Sequence, residues 1–414
     1  MYKLTLISFL CCLTLFSSGQ NTWVQRASFS GNPRTASFYF SAGGLGFIGC
    51  GLDSTQRLVN DCWKYNLQND NWSPIADFPG APRRGAVAFG INGKGYAGTG
   101  LTDTSMLKDF WSYNLVTNSW SQEQDLGQYR TNFTAVPRRD ASAVVWLNTA
   151  YIVCGYDGSS AYLKQLLRFD PLADTSWSNA KNFTNVTDQT LFGRRWGAAF
   201  SLDNIIYYGT GYSSSNDYKK DFWSYDPIRD LWSQVADLPG NARSNAISFT
   251  AYSKAYIGSG TNHYVTPDFY RYDGTLNTWT YVADYPLRAV NQISFSIGNR
   301  AFVGLGNDSL GKPLNDFYEF IPDSTVNIHE LNSIPIARVY PTLIATNFTV
   351  ELLEAKKNTA TMKLYDLKGN FIEQFQLTNQ KTFLEKKENY SGLYFYTLSI
   401  EGKQLQSGKL IFTE

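Results

Sequence analysis

The feature that most constrains this chain is an aromatic segment that recurs along most of its length. In the clearest copy, Asp221-Phe222-Trp223-Ser224-Tyr225-Asp226 is followed by Trp232. Aromatic residues alternate with small or charged ones, which is typical of a half-buried strand, and the polar residues that follow form a turn into a second strand. Each copy is therefore predicted to be a β-hairpin. The tryptophans of the second strands, which we interpret as structural, are Trp23, Trp72, Trp120, Trp177, Trp232 and Trp279.

A second pair of strands is predicted upstream of each hairpin, as in Ala198–Phe200 and Ile205–Tyr208. This pair ends in a glycine motif that marks a packed turn, because glycine admits positive φ and close approach of the backbone. The copies are Gly49-Cys50-Gly51, Gly98-Thr99-Gly100, Gly209-Thr210-Gly211, Gly258-Ser259-Gly260, Gly304-Leu305-Gly306 and the reduced Val153-Cys154-Gly155. Four short strands cannot bury both faces of their sheet alone, and repeats of about 50 residues are typical of blades stacked around an axis.

These repeats resemble those of the kelch family. The resemblance rests on the glycine-rich second strand, the Tyr or Phe of the third strand and the Trp of the fourth, and it covers residues from about 22 to 322. Kelch repeats usually carry adjacent glycines where this chain has Gly-x-Gly. The resemblance implies an all-β protein, with a six-bladed kelch-type β-propeller at residues 20–322.

The two ends of the repeat region predict how the ring of blades closes. First strands begin at Arg34, Arg83, Arg138, Arg194, Arg243 and near Arg288. Trp23 has no first three strands before it, and the last unit, which ends at Phe320, has no tryptophan after it. We therefore expect the strand around Trp23 to complete the last blade, which hides two sheet edges at once.

The N-terminal residues 1–19 are predicted to be a secretory signal peptide. Lys3 precedes an apolar run from Leu4 to Phe16, and small residues lead up to Gly19. The run is too short to span a bilayer, and no later stretch has the length to do so, so no transmembrane segment is expected. Residues 323–334 break the repeat and are predicted to be a linker.

Residues 335–414 are predicted to form a small antiparallel β-sandwich, because the aromatic hairpins give way to short alternating strands. This tail resembles the type A-like C-terminal sorting domain of the type IX secretion system. The matching pieces are Val339-Tyr340-Pro341, Leu364–Gly369, Ser391–Tyr396 and Gly408–Ile411, with Thr342-Leu343 where the family usually has Asn-Pro. The resemblance implies a secreted or surface-attached protein and secretion machinery as a partner. The alternative is an adhesive or spacer sandwich.

Composition excludes several classes of function. The net charge is +1 and the Lys and Arg residues are scattered, so nucleic-acid binding is not expected. The two histidines, His263 and His329, are too few for a histidine-rich metal site, and no calcium-loop motif occurs, so neither a metal nor another cofactor is expected. No Gly-x-Ser-x-Gly or other catalytic motif occurs, and catalytic residues stay unassigned.

Three cysteines remain after cleavage of the signal peptide. Cys50 and Cys62 are expected to face each other across one hairpin, either as a disulfide or as two thiols. Cys154 is too far away in the repeat to pair with them and is interpreted as a small buried hydrophobic residue.

The candidate ligand site lies at one end of the predicted ring. The first-strand arginines share this end with the loops that follow Gly-x-Gly, so they either bind an anion or are neutralised by loop carboxylates. These carboxylates are Asp53, Asp103, Asp157, Asp217 and Asp308. A second set occurs once per repeat and is interpreted as structural turn caps, namely Asp61, Asp109, Asp221, Asp268 and Asp316.

Two predicted blades, the third and the fourth, are preferred for this site because the longest loops, Gln122 to Pro137 and Ala180 to Gly193, lead into them. Arginine doublets and aromatic residues follow or neighbour these loops. The candidate ligand-binding residues are Arg138, Arg139, Arg194, Arg195, Trp196, Tyr156 and Tyr212. Trp196 alternatively packs under the neighbouring blade. Cationic and aromatic groups together favour an acidic sugar or a peptide carboxylate.

Two functions from different classes follow. The first is a binding module for a glycan or surface-protein ligand, which the absence of a catalytic motif favours. The second, implied by the resemblance to six-bladed kelch proteins, is a sugar-active enzyme such as a sialic-acid epimerase or lyase.

Overall fold

The computed structural model describes residues 21–126, 135–159, 162–173, 176–183, 193–213, 217–322, 337–341, 343–352, 360–366, 371–400 and 403–413. The chain divides into two compact units, Met1–Thr325 and Val326–Glu414. Every regular element in the described ranges is a β-strand. No helix among these residues is long and apolar enough to cross a membrane. The predicted signal peptide, at residues 1–19, and the predicted linker, at residues 323–334, lie outside the described residues.

The first unit is built from short strands, which we number in chain order. They are β1 (Thr22–Gln25), β2 (Arg34–Thr35), β3 (Phe38–Ala42), β4 (Leu45–Gly49), β5 (Leu52–Asp53), β6 (Cys62–Asn66), β7 (Asn71–Ile75), β8 (Val87–Ile91), β9 (Lys94–Gly98), β10 (Phe110–Asn114), β11 (Ser119–Glu123), β12 (Ser142–Trp146), β13 (Thr149–Val153), β14 (Leu166–Phe169), β15 (Trp177–Ala180), β16 (Arg194–Arg195), β17 (Ala198–Leu202), β18 (Ile205–Gly209), β19 (Tyr212–Ser213), β20 (Phe222–Asp226), β21 (Leu231–Val235), β22 (Ile247–Ala251), β23 (Lys254–Gly258), β24 (Asp268–Asp273), β25 (Thr278–Asp284), β26 (Ala289–Val290), β27 (Ile293–Ile297), β28 (Arg300–Gly304), β29 (Asn307–Asp308) and β30 (Phe317–Ile321).

Six antiparallel sheets of four strands each are formed by the described residues of this unit. Sheet 1 is β3-β4-β6-β7, sheet 2 is β8-β9-β10-β11, sheet 3 is β12-β13-β14-β15, sheet 4 is β17-β18-β20-β21, sheet 5 is β22-β23-β24-β25 and sheet 6 is β27-β28-β30-β1. In sheet 6 the N-terminal strand β1 pairs with β30, in a register that joins Thr22 to Ile321 and Gln25 to Tyr318. The two ends of the repeat region therefore share one sheet.

The first strands of the six sheets lie side by side in cyclic order, from β3 through β8, β12, β17 and β22 to β27, and β27 lies beside β3. Each pair of neighbouring sheets encloses its own apolar core. Between sheets 6 and 1, for example, Phe295 and Phe317 pack against Tyr65 and Trp72. The alternating aromatics of the sequence are thus the side chains that join one sheet to the next.

The repeated tryptophans fasten neighbouring sheets by hydrogen bonds as well as by packing. The indole Nε1 of Trp232 donates to the backbone carbonyl of Lys181, at the end of the preceding sheet, over 2.9 Å. Trp72, Trp120, Trp177 and Trp279 make the equivalent bond, at 2.8–3.1 Å. Trp23 differs, because its buried Nε1 has no hydrogen-bond partner among the described residues, although its ring packs against Phe269, Tyr285 and Phe320 with centroids 5.0 Å away in each case.

The three cysteines are buried free thiols. The disulfide alternative for Cys50 and Cys62 is therefore wrong for this structure, although their strand ends are neighbours, with Gly49 opposite Cys62. Burial raises the pKa of the Cys50 thiol to about 12, so it is protonated at neutral pH. Cys154 is fully buried as well.

The second unit contains two sheets around one apolar core. Its strands are β31 (Ala337–Tyr340), β32 (Leu343–Ile344), β33 (Asn347–Leu352), β34 (Ala360–Tyr365), β35 (Phe371–Leu377), β36 (Lys381–Glu385), β37 (Gly392–Ile400) and β38 (Lys403–Phe412). The sheets have the orders β31-β33-β36 and β32-β38-β37-β34-β35. Phe348, Met362 and Leu398 are among the buried residues that the core contains. Contrary to the purely antiparallel prediction, β32 pairs with β38 in parallel.

Candidate ligand-binding site at the channel mouth

A channel runs between the first strands of the six sheets and encloses a cavity of about 570 Å³. Its wall carries small residues and hydroxyl groups, and several hydroxyls donate to the backbone of the neighbouring strand. Ser248, Ser294 and Ser296 make such bonds to the carbonyl oxygens of Ala199, Ser248 and Thr250, at 2.6–2.8 Å. These hydroxyl groups already donate their hydrogen bonds within the protein. We therefore expect ligand-binding groups at the end of the channel and not along its wall.

One end of the channel is surrounded by six residues in the left-handed backbone conformation, one from each repeat. They are Ala36, Gly85, Asp140, Trp196, Asn245 and Asn291, with φ between 54° and 62°. Five of the six consecutive pairs are joined by backbone hydrogen bonds, for example from Trp196 N–H to the Asp140 carbonyl and from Asn245 N–H to the Trp196 carbonyl, both at 2.9 Å. They line a cavity of about 120 Å³, which we call the mouth. Since every repeat has a left-handed residue here, the conformation belongs to the repeat, and Trp196 is distinguished from the other five by its large ring.

Arginines lie beside the mouth on three consecutive sheets. In five of the six repeats, a buried arginine lies two positions before the left-handed residue. In every repeat, the residue between these two positions pairs with the chain just after Gly-x-Gly. These intermediate residues and their partners are Thr35 and Leu52, Arg84 and Leu101, Arg139 and Tyr156, Arg195 and Tyr212, Ser244 and Thr261, and Val290 and Asn307. We call Arg84, Arg139 and Arg195 the rim arginines.

The first arginine of each doublet has a different role, which corrects the prediction for Arg138 and Arg194. Both side chains are buried, with at most 1% exposed. Arg194 binds both carboxylate oxygens of Asp221, at 2.7 and 2.9 Å, and the Thr210 carbonyl at 3.0 Å. Arg138 binds the Cys154 carbonyl at 3.0 Å, and Gln165 takes the place of the aspartate. These two guanidinium groups are occupied within the protein and do not contribute to an exposed site.

The same arrangement recurs in three other repeats, with the pairs Arg34–Asp61, Arg83–Asp109 and Arg243–Asp268. It depends on the Gly-x-Gly turn, whose central residue has a φ of 55–64° and directs its carbonyl at the arginine. The first glycine is required by space, because a Cβ on Gly209 would lie 2.3 Å from the Phe222 ring. The sixth repeat has Ala289 at the arginine position. Arg288, the predicted start, is instead exposed.

The expectation that loop carboxylates neutralise these arginines is wrong for four repeats, in which the aspartates at the starts of the third strands do so. In the third repeat Arg138 has no such aspartate, and the loop carboxylate Asp157 acts on its charge. Loop carboxylates such as Asp53 and Asp308 instead accept hydrogen bonds from the backbone of their own loops. Asp53 accepts hydrogen bonds from the backbone of Thr55 and Arg57, and Asp308 accepts from Leu310 and Lys312. The predicted turn caps Asp61, Asp109, Asp221 and Asp268 are therefore structural, but as arginine partners.

Arg195 is surrounded by aromatic rings, and within the described residues no carboxylate accepts a hydrogen bond from it. Its guanidinium carbon lies 3.7 Å from the Trp196 ring centre, 5.0 Å from that of Tyr156 and 5.7 Å from those of Tyr162 and Tyr212. Cation–π contact of this kind holds a guanidinium in place while leaving its N–H groups free to donate. In the same part of the chain, the buried Nε atoms of Arg138, Arg139, Arg194 and Arg195 all lack a hydrogen-bond partner, so the two kinds of arginine differ in what their terminal nitrogens contact and not in their Nε.

Asp140 is the carboxylate nearest to two of the rim arginines. Its Oδ2 lies 3.5 Å from Arg139 Nε and 3.8 Å from Arg195 Nη1, which is beyond hydrogen-bond distance. That oxygen is buried and accepts no hydrogen bond in the part of the chain that the structure describes. Burial raises the pKa of Asp140 above its usual value, against the opposing influence of Arg139, Arg195, Trp196 and Arg84.

Five of the seven predicted ligand residues thus come together beside the mouth, namely Arg139, Arg195, Trp196, Tyr156 and Tyr212. Trp196 lines the mouth and stacks on Arg195, so it does not merely pack under a blade. Sequence reasoning missed Arg84, Asp140 and Tyr162. The doublet Arg83-Arg84 stands in the same register as the two doublets chosen, but no long loop precedes it. Of the two long loops, residues 127–134 and 184–192 lie outside the described residues.

Comparison with known proteins supports the fold. No protein-family model and no curated protein matches the chain. Among solved structures, one titled "Structure of YjhT", a kelch-type β-propeller, is similar with a TM-score of 0.58 and 16% sequence identity. The match covers 71% of this chain and 96% of that one. The first unit therefore has the fold of a kelch-type β-propeller.

Proposed function

We propose that this protein is an exported binding module whose six sheets are the blades of one kelch-type propeller, and that it binds the anionic group of a glycan or surface-protein ligand at the mouth. The observation that carries the proposal is the contrast between the two arginines of each doublet. Arg194 makes two hydrogen bonds to Asp221, whereas Arg195 beside it is held by aromatic rings with its nearest carboxylate at 3.8 Å. A guanidinium held in this way is suited to bidentate recognition of a carboxylate or sulfate.

Closure of the ring supports the six-bladed arrangement. Sheet 6 draws β1 from the N-terminal end and packs against sheet 1, so neither end of the repeat region is left with an open edge. A ring of this kind presents its loops at fixed positions, which is what a preorganised binding site requires.

Export is proposed from the sequence. Residues 1–19 have the features of a signal peptide, and the C-terminal unit, a small sandwich, resembles a type IX sorting domain. On this proposal the mature protein is secreted or attached to the outer-membrane surface, and the C-terminal unit is recognised by the secretion machinery.

The first test is charge reversal at Arg139 and Arg195 together. The Arg139→Glu/Arg195→Glu protein should lose binding of acidic glycans on an array. Because the two arginines lie 3.5 and 3.8 Å from the buried Asp140 carboxyl group, circular dichroism must show that the variant is folded, and Arg139→Gln/Arg195→Gln, which adds no negative charge, is the second variant. Arg168→Glu/Arg229→Glu is the matched control, since Arg168, on the exposed face of β14, and Arg229, in the turn after β20, both have exposed side chains away from the mouth. Undiminished binding by the first variant would refute the site.

A sugar-active enzyme is the second candidate, and the position of Asp140 favours it. A buried carboxyl group with a raised pKa, beside arginines that can fix a substrate anion, is typical of a general acid or base. An assay for turnover of sialic acids, run beside the glycan array, separates the two functions. Product formation that disappears in Asp140→Asn supports the enzyme, and saturable binding without product supports the binding module.

A further inference from the structure

Five ring side chains form a continuous row that leads away from the rim arginines. They are Tyr156, Tyr162, Tyr212, Tyr218 and His263, which we call the aromatic track. Successive ring centres are 5.2, 5.9, 5.2 and 5.2 Å apart. Arg195 lies against the first three of these rings, so one end of the track coincides with the candidate anion site.

The track belongs to the two repeats that also carry Arg139 and Arg195. The loops after Gly-x-Gly are each closed by a bridge at their base, and in the third and fourth repeats both bridging residues are tyrosines. At the corresponding positions the other repeats have Leu52 and Leu58, Leu101 and Met106, Thr261 and Val265, and Asn307 and Pro313. Structural need alone does not call for tyrosine at these positions, because four repeats close the same loop without it.

Every ring of the track is at least partly exposed to solvent. The four tyrosines are half-buried and His263, which has a φ of 87°, is exposed. The rings meet at tilted or edge-on angles, from 42° to 77°, so each keeps part of its surface available. Tyrosine offers an apolar ring and a polar hydroxyl at low entropic cost, which suits it to contacts with sugars, whose rings have apolar C–H faces and polar edges.

We propose that the ligand is an acidic oligosaccharide several units long, with a carboxylate at Arg139 and Arg195 and its following sugar rings on the aromatic track. This inference rests on the proposed function and specifies the ligand. The charge of the site agrees with it, because three rim arginines stand beside one carboxylate, Asp140. The position of the rings agrees as well, since Tyr218 and His263 lie beyond the three rings that contact Arg195, so a longer chain meets rings that a single sugar at the arginines does not.

The test is a calorimetric titration of the mature full-length protein with galacturonic acid, its dimer and its tetramer, and with the neutral tetramer cellotetraose. Affinity should rise with the length of the acidic chain, by about three- to tenfold for each ring newly covered. The variant Tyr218→Ala should weaken tetramer binding by a similar factor and leave binding of the monomer unchanged. Tyr264→Ala is the control, because Tyr264 is next to His263 and 80% exposed, but is not part of the track.

The outcomes separate this inference from the function on which it rests. Equal affinity for monomer and tetramer, or an equal loss for both in Tyr218→Ala, would overturn the track while leaving the anion site in place. The proposal that the ligand is an oligosaccharide would be refuted if the wild-type protein bound none of these acids, or if it instead bound a peptide with a free C-terminal carboxylate. Tetramer binding that survives Arg139→Glu/Arg195→Glu would refute the anion site itself.

Discussion

Each of the second, third and fourth repeats carries two consecutive arginines whose side chains have different surroundings. The first is buried and bonded to a strand-end carbonyl and a polar side chain, and the second is a rim arginine. The difference follows from direction, because consecutive residues of an extended segment project to opposite sides. The same residue type therefore serves stability at one position and recognition at the next.

Replacement of a first arginine should be strongly destabilising. Arg243 is fully buried and binds Asp268 at 2.5 and 2.9 Å and the Ser259 carbonyl at 3.2 Å. Arg243→Met leaves Asp268 without its partner and should lower the free energy of unfolding by about 3–5 kcal/mol. Urea denaturation measures this loss. Arg229→Met is the control, with less than about 0.5 kcal/mol expected, because Arg229 is 79% exposed. Similar losses in both variants would contradict the structural role.

The carboxyl group of Asp140 should make anion binding depend on pH. Its pKa is raised, so on acidification it takes up a proton above its usual range, and the negative charge beside Arg139 and Arg195 disappears. Affinity for galacturonic acid should therefore increase as the pH falls through this raised pKa. The monomer is the suitable probe, because it occupies only the anion site beside Asp140 and does not extend along the aromatic track.

The variant Asp140→Asn tests this prediction, since asparagine tolerates the left-handed conformation that Asp140 adopts, with a φ of 57°. It should bind the anion as tightly at neutral pH as the wild type does under acidic conditions, with little dependence on pH. If the variant keeps the pH profile of the wild type, another group is responsible.

At the scale of elements, the N-terminal strand β1 is decisive for sheet 6. Trp23 projects from it into the core between sheets 5 and 6, and Arg26, just after it, pairs with the buried Glu319. Trp23→Ala should lower the free energy of unfolding by about 3 kcal/mol, whereas Val24→Ala, a change on the exposed side of the same strand, should have little effect.

Deletion of residues 20–25 should in addition expose the edge of β30 and promote aggregation, which light scattering detects. A deletion variant with the melting temperature of the full chain would contradict this role.

The hairpins could be predicted from the sequence, because alternation of aromatic and polar residues is a local pattern. The role of the strand around Trp23 could be predicted by counting, because Trp23 has no first three strands before it and the last repeat has no tryptophan after it. It did not predict the bond between Arg194 and Asp221. That contact depends on the left-handed turn at Thr210, which brings the end of β18 back toward the arginine. Recurrence alone could have identified the arginines as structural, since one arginine in nearly every repeat is what a repeated structural bond requires. Asp140 could not be found in this way, because it is unique among the repeats.

At the scale of the whole molecule, we expect the first unit to bind the ligand and the second unit to direct export. The buried core of Val326–Glu414 consists of its own residues, from Ala337 to Phe412, and the cores between the six sheets consist of residues that precede 322. A unit with a complete core of its own can fold alone. Truncation after residue 322 should therefore leave the melting temperature of the first unit and its affinity for acidic glycans unchanged.

Removal of the C-terminal unit should instead change where the protein is found. If this unit is the sorting domain that its sequence resembles, the truncated protein retains residues 1–19, crosses the inner membrane and accumulates in the periplasm, whereas the full chain reaches the surface or the medium. Fractionation of cells that express both forms through a type IX system measures this. A chain with Leu398→Asp in β37 is a useful third form, because it places a carboxylate in the core of the C-terminal unit without shortening the protein. Equal surface exposure of all three forms would show that the C-terminal unit is not the export signal, and that a spacer or adhesive sandwich is the better explanation.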